Sequence, residues 1–170
     1  MMILTVSGAD RAGLVKDLAA CINANGGNWE ESRMLHLGGR FVGMLDVRLA
    51  PDKTQQMREA LSGLPGLEFT FAPAQQPAPE PELQCDLQLL GNDQLGIVRR
   101  ITQLLQDRNV NVEELFTKTE SAPESGAALF RMHARLGACA DLDLDELQSA
   151  LEALSDEIMV EATVRRLERD

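Results

Sequence analysis

Two segments of the sequence carry residues suited to holding a small anion: Gly8-Ala9-Asp10-Arg11-Ala12-Gly13-Leu14 and Gly91-Asn92-Asp93-Gln94-Leu95-Gly96-Ile97. Each follows an alternating apolar stretch and opens a helical pattern, so it ends at a helix N-terminus. The first-turn N–H groups there have no intrahelical partner, and the helix dipole adds partial positive charge, which favours a carboxylate. Gly13 and Gly96 have no side chain to block a close approach. On these residues alone a second reading competes, and it is the commoner meaning of so short a DxxG pattern. In it, Asp10 and Asp93 cap the helix and the glycines close a tight turn.

Other residues that could do chemistry do not assemble into a site. Cys21, Cys85 and Cys139 are far apart, with no CxxC pair and no histidine at ligand spacing, so they read as small buried thiols rather than metal ligands. His36 and His133 fall on strands of different halves with no nucleophile beside them. The doublets Glu30-Glu31 and Glu113-Glu114 resemble acid–base pairs, but neighbouring strand residues point to opposite faces and cannot converge on one substrate. Arg131, His133 and Arg135 alternate along one strand, and solvated edge charge is the common meaning of such a stripe. No catalytic residue, metal site or cofactor is expected.

The wider composition fits that reading. The chain has 170 residues, 44% hydrophobic and 25% charged, with no apolar run long enough for a membrane span. Met1 to Val6 lacks the features of a signal peptide, so a cytoplasmic location is expected. The net charge of -11 argues against a nucleic-acid surface. Residues 1–72 hold 7 basic and 8 acidic groups, and residues 82–170 hold 9 and 18. Solubility is the plain reason for that excess, and a docking surface for a basic partner is the alternative.

The two loops belong to a repeat. At a constant offset of 83, Gly8, Asp10, Gly13, Leu14 and Val15 fall on Gly91, Asp93, Gly96, Ile97 and Val98, and Asn28, Glu30 and Glu31 fall on Asn111, Glu113 and Glu114. Further on, the offset is read as 87, setting Phe41, Leu45, Val47 and Leu49 against Ala128, Met132, Ala134 and Leu136, with four extra residues near Ser121 to Gly126. The stretch 73–81 is proline-rich and reads as an extended connector between modules 1–72 and 82–170.

Leu83, Cys85, Leu87 and Leu89 alternate with polar residues, as do Met2, Leu4 and Val6 in the first copy, which predicts strands with one buried face. Leu14, Leu18 and Ile22, and likewise Ile97, Ile101 and Leu105, have helical spacing. Strands follow over about 29–37 and 40–49, joined by the Gly38-Gly39 hairpin signal. Second helices are expected over about 53–64 and 144–155, and last strands over about 67–71 and 158–167. Each copy therefore reads βαββαβ: an α+β fold of two ferredoxin-like modules, each a four-stranded antiparallel sheet with two helices on one face.

This repeat, together with the DxxGLV and DxxGIV loops, resembles tandem ACT domains, the ligand-sensing modules of amino-acid metabolism. More narrowly the chain is similar to the glycine cleavage system transcriptional repressor family. That likeness rests on the loop at 91–97, Asn111-Val112-Glu113-Glu114-Leu115, the stretch from Ala122-Pro123 through Leu129-Phe130-Arg131-Met132, and the Leu144-Asp145-Glu146-Leu147 helix start. The resemblance implies a non-catalytic regulator that binds a small amino acid, glycine being the candidate. The ligand would lie at Asp10, Arg11, Ala12, Gly13 and Leu14, and at Asn92, Asp93, Gln94, Leu95, Gly96 and Ile97. It also implies action through a protein partner, a LysR-type transcriptional activator, with no direct nucleic-acid contact and no membrane. Family members often carry proline where this chain has Ala12 and Leu95, and the two loops differ from each other at Ala9 and Arg11 against Asn92 and Gln94. The rival class is a protein-interaction module with no functional ligand site. An exposed sheet edge on each module would also invite pairing into a homodimer.

Overall fold

The computed structural model describes residues 1–74, 79–122 and 127–167. Residues 75–78 of the proline-rich stretch and 123–126 of the expected longer turn therefore lie outside the described residues. The chain divides into two compact units, Met1–Gln76 and Pro77–Asp170. The first runs β1 (Met2–Ala9), α1 (Leu14–Ala24), β2 (Asn28–Leu37), β3 (Arg40–Arg48), α2 (Thr54–Ser62) and β4 (Leu67–Pro73), and a short 3-10 turn precedes α2. The second repeats the order with β5 (Leu83–Asn92), α3 (Ile97–Gln106), β6 (Asn111–Ser121), β7 (Ala128–Ala138), α4 (Leu144–Ile158) and β8 (Val160–Arg166). Strands order as β2-β3-β1-β4 and β6-β7-β5-β8, with every pairing antiparallel. These are two ferredoxin-like modules.

The alternation read in β1 and β5 becomes burial. Met2, Leu4 and Val6 pack with Leu14, Leu18 and Ile22 of α1 and Met57 and Leu61 of α2 into one core. Leu83, Cys85, Leu87 and Leu89 do the same with Ile97, Ile101 and Leu105 of α3 and Leu147, Leu151 and Ile158 of α4. Each buried large aliphatic side chain contributes about 1.5–3 kcal/mol, and both helices of a module sit on the same face of its sheet. Trp29 packs against the first core, partly buried.

The register of β7 departs from the sequence reading. Gly8 pairs with Phe41 and Gly91 with Phe130, so the true offset in this strand is 89, not 87, and the module-two hairpin is six residues longer. One extra ladder pair, Ser121 with Ala128, and a longer connection supply the difference. A two-residue slip keeps every side chain on its own face, so hydrophobic alternation cannot tell the two registers apart.

Three smaller corrections follow. α4 extends to Ile158, which is buried in its last turn, and Met159 turns the chain at φ 50, so β8 starts at Val160. Cys139 is exposed, because β7 has ended at Ala138, while Cys85 is buried and Cys21 partly so. Both glutamate doublets sit at β-bulges, between Trp29 and Glu31 and between Val112 and Glu114, where strict alternation fails. Their carboxylates meet local donors instead: Glu30 accepts from Asn28 (2.7 Å) and Glu113 from Asn111 (2.5 Å).

Candidate functional site

β1 and β5 deliver the two loops to equivalent places. The N–H of Asp10 donates to the carbonyl of Gly39 (3.2 Å) and that of Asp93 to the carbonyl of Ala128 (2.9 Å), tying each loop to the neighbouring hairpin. Gly13 (φ 83) and Gly96 (φ 87) then take the left-handed conformation immediately before the first helical residue. A Cβ at either would meet nothing within 4 Å, so backbone conformation rather than space demands glycine there. Their carbonyls accept the first helical bonds, from Asp17 (2.9 Å) and Arg100 (3.0 Å).

Among the described residues no side chain caps α1 or α3, which overturns the reading of Asp10 and Asp93 as caps. Asp143 shows what a real cap looks like in this chain: its Oδ1 accepts from the N–H groups of Asp145 (2.9 Å) and Glu146 (3.1 Å) at the start of α4. The left-handed glycine carries the chain into α1 and α3 without that help; the N–H of Leu14 reaches back to the carbonyl of Arg11 (3.4 Å), and the first-turn N–H groups that follow have no side-chain acceptor. Leu14 and Ile97 are buried, so of these two only the backbone is on offer.

The loops differ in what stands beside the open helix end. In the first, Arg11 Nη2 donates to Asp17 Oδ2 at 2.6 Å, and Asp10 Oδ2 lies 3.8 Å from His36 Nε2. In the second, Gln94 Nε2 turns away to the carbonyl of Ile158 (2.8 Å), Arg100 pairs with Glu157, and Asn92, Asp93 and Leu95 are exposed. Each helix end therefore has an ion pair beside it, made within the loop and its helix in the first module and across to α4 in the second. Two clefts of the second module are one of about 410 Å³ near Arg108, Cys139 and Asp143 and one of about 490 Å³ on the outer sheet face. Neither is lined by any of residues 91–97.

The Arg131, His133 and Arg135 stripe does lie on one outer face, and each member has a carboxylate partner. Arg131 meets Glu120 at 3.2 Å, His133 meets Asp86, and Arg135 meets Glu114. Hydrogen bonds from Lys118 and Arg131 hold the Glu120 carboxyl below its ordinary value. The sequence reading missed Glu161 and Thr163 of β8, which line the cleft beside this stripe. Their period-two spacing was the available signal. Burial pushes the thiols of Cys21 and Cys85 up, as expected of inert core cysteines. Among the described residues no His, Cys, Asp and Glu cluster could hold a metal, and no helix is long and apolar enough to cross a membrane.

The family model for the ACT domain matches residues 1–66. The first module is therefore an ACT domain. The second module repeats the first in element order and sheet topology, so the ACT modules stand in tandem. The chain is 25% identical over 171 residues to the glycine cleavage system transcriptional repressor of Escherichia coli (strain K12), covering 96% of this chain and 88% of that protein. The Shigella flexneri repressor matches to the same extent. The structure of an unknown protein from Galdieria sulphuraria superposes with a TM-score of 0.87 at 32% identity, over 98% of each chain. A structure assigned as a glycine cleavage system transcriptional repressor gives 0.71 at 18% identity, over 99% of this chain and 97% of that one. This last likeness is one of fold.

Proposed function

We propose that this tandem ACT protein is a non-catalytic, cytoplasmic, amino-acid-responsive regulator of glycine cleavage that acts by binding a partner activator protein. The observation that carries the reading is the repeated helix entry: a left-handed glycine at the same place in both modules leaves the first-turn N–H groups of α1 and α3 without a side-chain cap. Such an end suits the carboxylate of a small amino acid, and the end-to-end match to a curated repressor makes glycine the candidate. A net charge of -11 favours a protein partner over DNA, and a LysR-type activator fits that role.

The rival reading, an interaction module with idle loops, has one observation in its favour: the clefts described above are not at the loops. Calorimetric titration of the full chain with glycine and the other amino acids separates the two. Saturable heat from one or two amino acids, weakened by Asp93→Ala in the second loop, is the expected result. Gly96→Val is a poor probe because φ 87 strains any β-branched residue. Absence of heat from every amino acid would leave the interaction module as the function.

A further inference from the structure

We infer that the outer face of the second sheet carries a binding site for a zwitterionic α-amino acid, separate from the helix-entry loops. Three strands build it. Arg131 and His133 stand on β7, Leu90 and Gln88 on the central strand β5, and Glu161 and Thr163 on β8. Arg131 pairs across to Leu90 and on to Glu161, and His133 to Gln88 and on to Thr163. All six line one open cleft of about 490 Å³.

The chemistry is split across that cleft. Cationic and imidazole groups lie on one flank, a carboxylate and a hydroxyl on the other, and an aliphatic and an amide side chain on the floor between. The flanking backbones are two strand spacings apart, about 9–10 Å, and side chains reaching inward from both leave room for one small molecule. A free α-amino acid presents the matching pair: its carboxylate toward Arg131, its ammonium toward Glu161 and the Thr163 hydroxyl. Among the described residues no cation pairs with Glu161, so its charge is available. The nearby Asp86 is already engaged, by Gln88 (2.8 Å) and by His133. Arg131 keeps donors free, because Glu120 takes only Nε and Nη2.

The first module supplies an internal contrast. Its matching rows are Val42, Ser7 and Glu68, then Met44, Thr5 and Thr70. The acid and the threonine recur, while valine and methionine replace the arginine and histidine. The carboxylate-binding half is therefore peculiar to the second module.

Residue-resolved NMR on the labelled full chain tests this. It is titrated with glycine, L-valine and L-glutamine, and with acetate and methylammonium as single-charge controls at the same ionic strength. At least one amino acid should shift the amides of Leu90, Arg131, Met132, Glu161 and Thr163 saturably, with neither control doing so. Glu161→Gln and Arg131→Gln should each weaken that binding on the order of tenfold, the loss of one charge-assisted hydrogen bond, while core amide shifts stay in place. Unmoved cleft amides with all three amino acids, an equal response to acetate, or unchanged affinity in both variants would each overturn the site. Shifts confined to residues 92–100 would belong to the helix-entry loop and would count against this cleft while supporting the proposed function.

Discussion

Compared row by row, the two sheets agree inside and diverge outside. Their inner faces set Leu4 and Val6 against Leu87 and Leu89, and Val47 against Leu136, all buried. Their outer faces set Val42, Met44 and Asp46 of β3 against Arg131, His133 and Arg135 of β7. One exterior carries Met44, 54% exposed, and Leu35, 47% exposed, and the other carries three ion pairs beside an exposed Phe116 stacked on His133. The interior is fixed by packing, since changes of even one methylene are felt there. The exterior answers only to solvent and partners, so the copies were free to specialise on that side.

The interior agreement is one of volume more than of residue type. Met34 faces Gly43 across β2 and β3, while Thr117 faces Met132 across β6 and β7. Ser32 faces Leu45 where Leu115 faces Ala134. In both cases the large apolar side chain has changed strands; Met34 and Met132 each pack with their module's core, while Leu115 stays 40% exposed.

The largest expected effect tests whether the interiors are equivalent. Leu4→Ala and Leu87→Ala remove the same fully buried side chain from central strands of the two sheets, and each should cost its own module about 2–5 kcal/mol. Val42→Ala and Arg131→Ala, on the outer face, should each cost under about 1 kcal/mol. Urea unfolding followed by amide hydrogen exchange assigns each loss to a module. An inner-face cost confined to one module, or an outer-face cost as large as the inner, would break the comparison.

Much of this plan was legible beforehand. Period-two runs marked β1 and β5, three-and-four spacing marked α1 and α3, and Gly38-Gly39 marked the first hairpin, because each of these signals is local. The register of β7 was not legible. Strand swaps such as Met34–Gly43 against Thr117–Met132 erased the residue matches, and the Phe41–Phe130 identity that would have fixed the offset at 89 lay two positions from the chosen alignment. The bulges at Glu30 and Glu113 hid for a different reason, since a bulge is a fault in strand pairing and pairing partners are distant in sequence. At the loops, sequence placed the DxxG segments at helix entries but could not decide whether the aspartates capped them. That depended on the left-handed turn at Gly13 and Gly96. The outer cleft needs β8 beside β5, a contact between segments about seventy residues apart.

A finer prediction sharpens the idea that volume is what the two interiors share. A Cβ added at Gly43 would come within 2.9 Å of Met34 Cγ and 3.4 Å of Val6 Cγ1. Gly43→Met should therefore overpack the first module and cost about 1–3 kcal/mol. Adding Met34→Thr recreates the Thr117–Met132 arrangement and should recover most of that loss. A double-mutant cycle on thermal or urea unfolding reads the coupling directly. Additive costs would mean that the strand swap is coincidence.

The smallest effect concerns two surface carboxylates, one in each module, that hold their charge for different reasons. Glu30 is lowered first by the hydrogen bond from Asn28, with Arg48 adding its charge. Glu120 is lowered first by the hydrogen bond from Lys118, then by that from Arg131. In both, the folded state binds its proton less tightly than the unfolded chain does, whose value is about 4.3. The stabilisation is therefore complete above that value and is lost as pH falls through the lower folded one. Carbon-detected titration should place both below the ordinary glutamate value, and stability should stay flat from these groups above about pH 5. Asn28→Ala should raise Glu30 even at high salt, because its main cause is a neutral hydrogen bond. Glu120 depends on cationic donors, so added salt should move it up more than Glu30. Equal salt responses would mean that the outer faces differ less in electrostatics than their residues suggest.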